Sequence, residues 1–333
     1  MKVAYLIEPQ KIELRDVQIA DPKADEILIQ IKSALTCGTD IKAYKRGHPM
    51  IPMPGPFGHE FSGIAVKVGS SIKSFKEGDP IMAVHSAPCG RCKYCKKGMF
   101  NQCESIMENK VLGAFAEYLI LPEHIVRQNT FLKPPSIDFK SSAMLEPLAC
   151  VVHGLSGLNI TNSSNVAIIG NGPIAILHIL SLKLKGAHVL LIGRNLEKLN
   201  NLRRFGADEV FSIEEIRNNK NFEGTDFVFE CTGDVGVWEL TPSIACKGGV
   251  VVLFGGCKAG TKVTFDTYRL HYDEITIKGS FHFTPHDVKE AYNLLCSGLN
   301  VSDLITHTAN LVDISDVFER LSSGQGLKYC IEP

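Results

Sequence analysis

Between residues 151 and 283 the apolar positions fall into short unbroken runs separated by longer stretches with one apolar face. Val166-Ala167-Ile168-Ile169 is such a run, ended by Gly170. Residues 173–185 then read as a helix, Gly186 closes it, and His188-Val189-Leu190-Leu191-Ile192 forms the next run. Residues 196–205 read as a further helix, and Asp226-Phe227-Val228-Phe229 and Val250-Val251-Val252-Leu253-Phe254 as buried strands. Apolar strands alternating with helices predict an α/β fold with a parallel, doubly wound sheet.

The first 130 residues carry a different pattern. Ile27, Ile29 and Ile31 alternate with a period of two, and turn signals are frequent, as at Pro54-Gly55-Pro56 and Gly78-Asp79-Pro80. This predicts a mainly β region of short strands joined by turns. Beyond residue 283, positions 286–297 read as an amphipathic helix followed by short elements, which spacing alone assigns to neither region. A chain of 333 residues is long for one core, so two domains are the natural expectation.

Charge narrows the partners. A formal net charge of -1 speaks against nucleic acid, whose binders carry a basic excess. The N-terminal Lys2-Val3-Ala4-Tyr5-Leu6-Ile7-Glu8 meets an acid too early for a secretory signal, and no apolar run reaches membrane-spanning length. The reading is a cytoplasmic protein with no membrane and no nucleic-acid partner. Of the eleven cysteines, five have metal-type neighbours. Cys150, Cys231, Cys246, Cys257, Cys296 and Cys330 are scattered in apolar or glycine-rich surroundings and read as small core residues.

Gly170-Asn171-Gly172-Pro173-Ile174-Ala175 follows a strand and opens a helix, the G-x-G-x-x-G/A pattern of a dinucleotide turn. The glycines allow a tight turn and close approach of a pyrophosphate, and the helix N-terminus offers free N–H groups to it. Gly170, Gly172, Pro173 and Ile174 are therefore candidate cofactor contacts. An acid that would hold a ribose 2'-hydroxyl is expected at the end of the second strand, where Gly193 and Arg194 stand instead. A guanidinium without the acid welcomes a 2'-phosphate, which predicts NADP(H) over NAD(H). The alternative is a solvated Arg194 and mixed specificity. Cys231 and Gly255, just past the two later strands, are further candidate contacts.

Cys89, Cys92, Cys95 and Cys103 lie at short spacing, with Gly90 and Gly98 to permit turns and Arg91, Lys93, Lys96 and Lys97 to offset thiolate charge. Four soft thiolates suit a closed, structural zinc site; a cluster of reduced thiols or an iron–sulfur cluster is the alternative.

Cys37-Gly38-Thr39-Asp40, Gly58-His59-Glu60-Phe61-Ser62-Gly63 with Gly69, the cysteine lobe, Glu146-Pro147-Leu148-Ala149 and the Gly170 turn occur in one order. In that order the chain resembles, over essentially its whole length, the zinc-dependent medium-chain dehydrogenase/reductase family of alcohol, polyol and threonine dehydrogenases. The resemblance implies a GroES-like catalytic domain over 1–150 and 284–333, with a Rossmann domain at 151–283. It implies two Zn2+ per chain. Cys37 and His59 would be ligands of a catalytic zinc, Glu60 the third in polyol-type members, and Glu146 a nearby ligand or a hold on the bound water. Thr39 would bond the substrate oxygen. Such a zinc acidifies a bound alcohol, whose carbon then gives a hydride to the nicotinamide.

Many relatives carry a relay histidine where Lys42 stands; His48 is a neighbouring substitute. Arg46-Gly47-His48 and His271-Tyr272-Asp273-Glu274 resemble stretches of sugar-alcohol and cyclitol dehydrogenases, or serve only as a turn and a strand lead-in. The substrate implied is a small alcohol or ketone of polyol, cyclitol or sugar-acid type, with simple alcohols and threonine open. A homodimer or homotetramer is implied as well. A quinone or enoyl reductase of the superfamily typically lacks the ligands at Cys37, His59 and Glu60. A non-enzymatic relative would be expected to have lost a ligand or the Gly170 turn.

Overall fold

The computed structural model describes all 333 residues. The chain opens with an antiparallel hairpin, β1 (Lys2–Glu8) against β2 (Lys11–Asp16). β3 (Ile27–Leu35) follows. Leu28 is buried along with the alternating Ile27, Ile29 and Ile31, so both faces of this strand are covered. α1 (Gly38–Arg46) was not foreseen in this β-rich stretch. Its N-cap is Cys37, whose sulfur accepts from the Thr39 N–H. β4 (Gly55–Pro56) adds to β1. β5 (Glu60–Val68) pairs antiparallel with β3, β6 (Pro80–Val84) with β5, β7 (Tyr118–Leu121) with β3, and β8 (Thr130–Leu132) with β6. The helices α2 (Glu123–Asn129), α3 (Phe139–Ser142) and α4 (Leu145–Leu155) follow.

From here strands and helices alternate: β9 (Asn165–Ile169), α5 (Pro173–Leu184), β10 (His188–Gly193), α6 (Leu196–Leu202), β11 (Glu209–Ser212), α7 (Ile213–Asn218), β12 (Thr225–Glu230), α8 (Val235–Ile244), β13 (Ala245–Leu253), α9 (Thr267–Tyr272) and β14 (Thr276–Gly279). The strands form one parallel sheet in the order β11-β10-β9-β12-β13-β14. The order reverses at β9, the doubly wound arrangement expected of the pattern. Ala167, Ile169, Ile192, Val228 and Val251 form its apolar centre. The helix foreseen over 196–205 ends early, and Arg203–Phe205 tightens into a 3-10 turn.

The tail forms α10 (Pro285–Cys296), β15 (Ile305–Asn310), α11 (Ile314–Ser322) and β16 (Lys328–Glu332). β16 runs antiparallel to β3, with Cys330 opposite Leu35, and β15 lies parallel to β16. Ile314, Val317, Phe318 and Leu321 share one buried face of α11. Phe318 packs 5.2 Å from Phe57 and 5.5 Å from Tyr44, inside the core built by the N-terminal strands. The chain thus folds as two compact units, Met1–Cys150 with Phe283–Pro333, and Val151–His282. No helix is long and apolar enough to cross a membrane.

Candidate metal centres and dinucleotide cleft

The four lobe cysteines meet: the sulfurs of Cys89, Cys92, Cys95 and Cys103 lie within 4.8 Å of one another. Backbone N–H groups already point at them, from Cys89 to Cys103 Sγ at 3.3 Å and from Cys92 to Cys89 Sγ at 3.4 Å. Donors at Arg91 and Cys92 pull the Cys89 thiol down to about 6, while burial and the neighbouring thiols push Cys95 up to about 12. Four sulfurs so placed, with charge on some already stabilised, fit a closed tetrahedral zinc site.

A second group joins residues far apart in sequence. The donor atoms of Cys37, His59 and Glu60 lie within 4.8 Å of one another. Cys37 ends the loop after β3, and Glu60 opens β5, the strand paired with it. Gly58 places His59: its φ of +89° favours glycine, and a Cβ there would stand 2.7 Å from the Phe115 ring. Asp40, buried in the first turn of α1, holds both partners. It accepts from the Cys37 N–H at 3.2 Å, and its other oxygen lies 3.2 Å from His59 Nδ1. A carboxylate on one imidazole nitrogen fixes the ring for metal binding through the other. Burial alone would lower the His59 pKa, but Asp40 and the Cys37 sulfur hold it well above the usual histidine value.

Glu60 is only half satisfied. Lys328 on β16, itself buried, pairs with Glu60 Oε2 and donates to the Thr36 carbonyl at 2.8 Å. Glu60 Oε1 is buried with no hydrogen-bond partner. An orphaned carboxylate oxygen beside a thiol and an imidazole fits a divalent cation of zinc type. Glu146, on α4, stands outside this three-residue group. It faces His85 at 3.5 Å and accepts from the Cys150 thiol at 3.7 Å, and burial pushes its carboxyl up to about 7 against the pull of His59. His85 stacks edge-on against His59, with ring centroids 5.1 Å apart.

Asp40, His85 and Lys328 belong to this site and were not singled out from sequence. Only Asp40 carried a local signal, three residues from Cys37. Thr39 is half-buried in the first turn of α1, and Lys42 lies on the same helix. His48 accepts from the Met50 N–H at 3.3 Å within a turn.

In the second unit Gly170 ends β9 with its N–H bonded to the Ile192 carbonyl at 2.9 Å, Gly172 is the N-cap of α5, and Pro173 and Ile174 begin it. Gly193 closes β10 against Leu199: a Cβ there would stand 3.1 Å from the leucine side chain, which would have to shift slightly to admit it. Arg194 donates to Asp234 at 2.6 Å, and both line a cleft of about 430 Å³ with Ser212, Glu214 and Arg217. Cys231 packs under the turn, its sulfur 3.8 Å from His178 Nδ1. Gly255 is buried, its N–H bonded to the Glu230 carbonyl at 2.8 Å. Of the resembling stretch at 271–274, Asp273 pairs with Arg269, and the Gly248 N–H bonds the Asp273 carbonyl at 2.7 Å, both inside this unit.

Comparison with known proteins adds to this geometry. Residues 23–130 match the model of the alcohol dehydrogenase GroES-like domain, and residues 173–297 that of the zinc-binding dehydrogenase domain. The chain is 27% identical to a sorbitol dehydrogenase of Bacillus subtilis, over 96% of this chain and 93% of the relative. It is 28% identical to D-xylulose reductase A of Aspergillus oryzae, over 98% and 94%. A protein of Sinorhizobium meliloti described as a zinc-binding dehydrogenase and solved bound to NADP superposes with a TM-score of 0.90 at 29% identity, over 100% of this chain and 99% of that one. With both domain models matched in order on a GroES-like unit and a six-stranded Rossmann sheet, the chain belongs to the zinc-containing medium-chain alcohol dehydrogenase family, whose members act on CH–OH groups with NAD(P).

Proposed function

We propose that this enzyme interconverts a secondary alcohol of polyol, cyclitol or sugar-acid type and its ketone, preferring NADP(H) to NAD(H). The observation that carries the reading is the convergence of Cys37, His59 and the orphaned Glu60 oxygen. These three residues would hold the catalytic zinc, with Glu146 next to it, and the four lobe cysteines a structural zinc. Relatives named for sorbitol and xylulose support a polyol. The missing acid at Gly193, the neighbouring Arg194, and a relative solved with NADP support the cofactor preference.

When bound, zinc supplies a Lewis acid for the substrate oxygen and the dinucleotide supplies the hydride acceptor. The chain's own groups do the rest. Thr39 would accept a hydrogen bond from the alcohol hydroxyl on its side-chain oxygen and, as it takes that proton, release its own hydroxyl proton to solvent. Asp40 keeps His59 oriented, and Lys328 neutralises Glu60 at Oε2, leaving Oε1 available. Eleven free cysteines suit a reducing, cytoplasmic setting, and we take the working form to be a homodimer or homotetramer.

A panel of secondary alcohols and polyols with NADP+ and NAD+, followed by the absorbance of the reduced nicotinamide, tests the reading. Turnover of polyols ahead of simple alcohols and threonine is expected. Arg194→Asp should lower the NADP+/NAD+ ratio of kcat/KM by about tenfold or more, the worth of one charge-assisted hydrogen bond. An unchanged ratio removes the argument for NADP(H).

A further inference from the structure

Arg194 is not alone in its cleft, and its partner is charged. Asp234 holds the guanidinium at 2.6 Å. The cleft around them is lined by Arg194 and Arg217, two cations, and by Glu214 and Asp234, two anions. Its charge is therefore balanced before any ligand arrives. A neutral ribose hydroxyl leaves that balance intact. A dianionic 2'-phosphate must approach Arg194 past the Asp234 carboxylate, at the cost of like-charge repulsion.

The position of Asp234 is built in. Its Oδ1 accepts from the Val237 N–H at 3.2 Å as the N-cap of α8, and its own N–H donates to Thr232 Oγ1 at 3.1 Å. The turn before it is gathered by Glu230, a buried carboxylate at the end of β12. Glu230 accepts from the backbone N–H of Thr232 at 2.6 Å, of Gly233 at 3.0 Å and from Trp238 Nε1 at 2.9 Å, and it also bonds the Thr232 hydroxyl. Gly233 lies so close to Gly256 that a Cβ on it would stand 2.4 Å from the Gly256 oxygen. One free oxygen of a fixed side chain is thus presented to Arg194.

We infer that Asp234 is a specificity-determining residue that limits the preference for NADP(H): its carboxylate occupies part of Arg194 and opposes the 2'-phosphate, so the cleft discriminates less than Arg194 alone would. This rests on the reading that Arg194 meets the adenosine ribose. Arg194 and Asp234 side chains are 70% and 41% exposed, so solvent screens the effect and it is moderate.

The chain's single tryptophan, Trp238, is bonded to Glu230 and to the Gly255 carbonyl beside this turn, and its fluorescence reports binding without any chemistry at zinc. Dissociation constants of NADP+ and NAD+ measured by its quenching, on the full chain, test the inference. Asp234→Asn keeps the N-cap and removes the charge; Asp234→Ser is a second capping variant without charge. Both should tighten NADP+ by about fivefold with NAD+ little changed, and high salt should shrink the difference. A ratio that stays put or falls, or a parallel loss of both affinities, overturns the inference. A wild-type protein that binds NAD+ more tightly overturns the proposed preference instead, while the response to Asp234→Asn still decides the role of Asp234.

Discussion

In the lobe at 89–103 four thiols come from one short loop, supported by backbone N–H groups, by the Ser105 hydroxyl 3.5 Å from Cys103 Sγ and by a small apolar cluster around Ile106. The Cys37, His59 and Glu60 group is assembled from separate elements and braced by Asp40 and by Lys328, which lies 268 residues from Glu60 in sequence. The first arrangement would spend all four of its sulfurs on a metal, as a closed structural site does. The second leaves a carboxylate oxygen unsatisfied and surrounds it with buried groups of both signs, which is how a site that must admit a substrate is built. On the proposed reading, the difference would separate a metal that holds a loop from one that performs chemistry.

The widest separation between the two should appear on removing one donor from each. Cys37→Ala should leave one zinc per chain by elemental analysis, keep the fold by circular dichroism, and lower kcat/KM by about a thousandfold or more. Cys92→Ala should also leave one zinc, but reduce the thermal midpoint while substantial activity survives at low temperature. If either variant loses both metals, or if Cys92→Ala is the more damaging to kcat/KM in folded protein, the two centres are not distinct in role.

A smaller effect tests the bracing. In zinc-stripped protein, Lys328→Met leaves Glu60 buried without its counter-ion, which should cost about 3–5 kcal/mol of stability by urea titration. Lys328→Arg keeps the charge and should recover part of that. In the lobe, Lys93 pairs with Glu104 at 3.3 Å on the exposed surface, so Lys93→Met should leave the thermal midpoint unchanged. Equal sensitivity at the two lysines would erase the contrast between a buried scaffold and a solvated loop.

Four strands of the sheet, β9, β10, β12 and β13, were legible as short apolar runs, although β13 begins earlier, at Ala245; the edge strands β11 and β14, Glu-Val-Phe-Ser and Thr-Ile-Lys-Gly, carry no such run and were not foreseen. The cysteine lobe was legible for a similar reason: its donors are neighbours in sequence. What failed to show were elements whose signal is not local. α1 is capped by a thiol, outside the Ser, Thr, Asp and Asn set that marks a helix start. Lys328 carries no local signal in its short tail and becomes a buried counter-ion only because β16 pairs with β3. Asp234 caps α8, and nothing in its sequence neighbours announces Arg194, forty residues away. Charge partners across a fold have no periodicity to betray them.

The last difference between the centres lies in how each responds to pH without metal. Glu146 is buried beside His85 and Cys150, and burial pushes its pKa from the ordinary 4.5 up to about 7; burial raises that of Glu60 too, against the pull of Lys328. A carboxyl that keeps its proton in the folded state binds more protons there than in the unfolded chain between these two values. Its contribution to stability is therefore full below about pH 4.5 and is lost as pH rises through 7, on the order of 3 kcal/mol for Glu146. Zinc-stripped protein should show a urea midpoint that falls between pH 5 and pH 8. The lobe thiols titrate in the same range, so the informative quantity is the difference made by Glu146→Gln, which carries no proton to lose. That variant should flatten most of the fall in stripped protein and change little in zinc-loaded protein, where a cation next to the site favours the charged carboxylate. If the wild type and Glu146→Gln fall in parallel, the acid cluster around Cys37 places no demand on the fold that a metal relieves, and the two centres differ only in which atoms they offer.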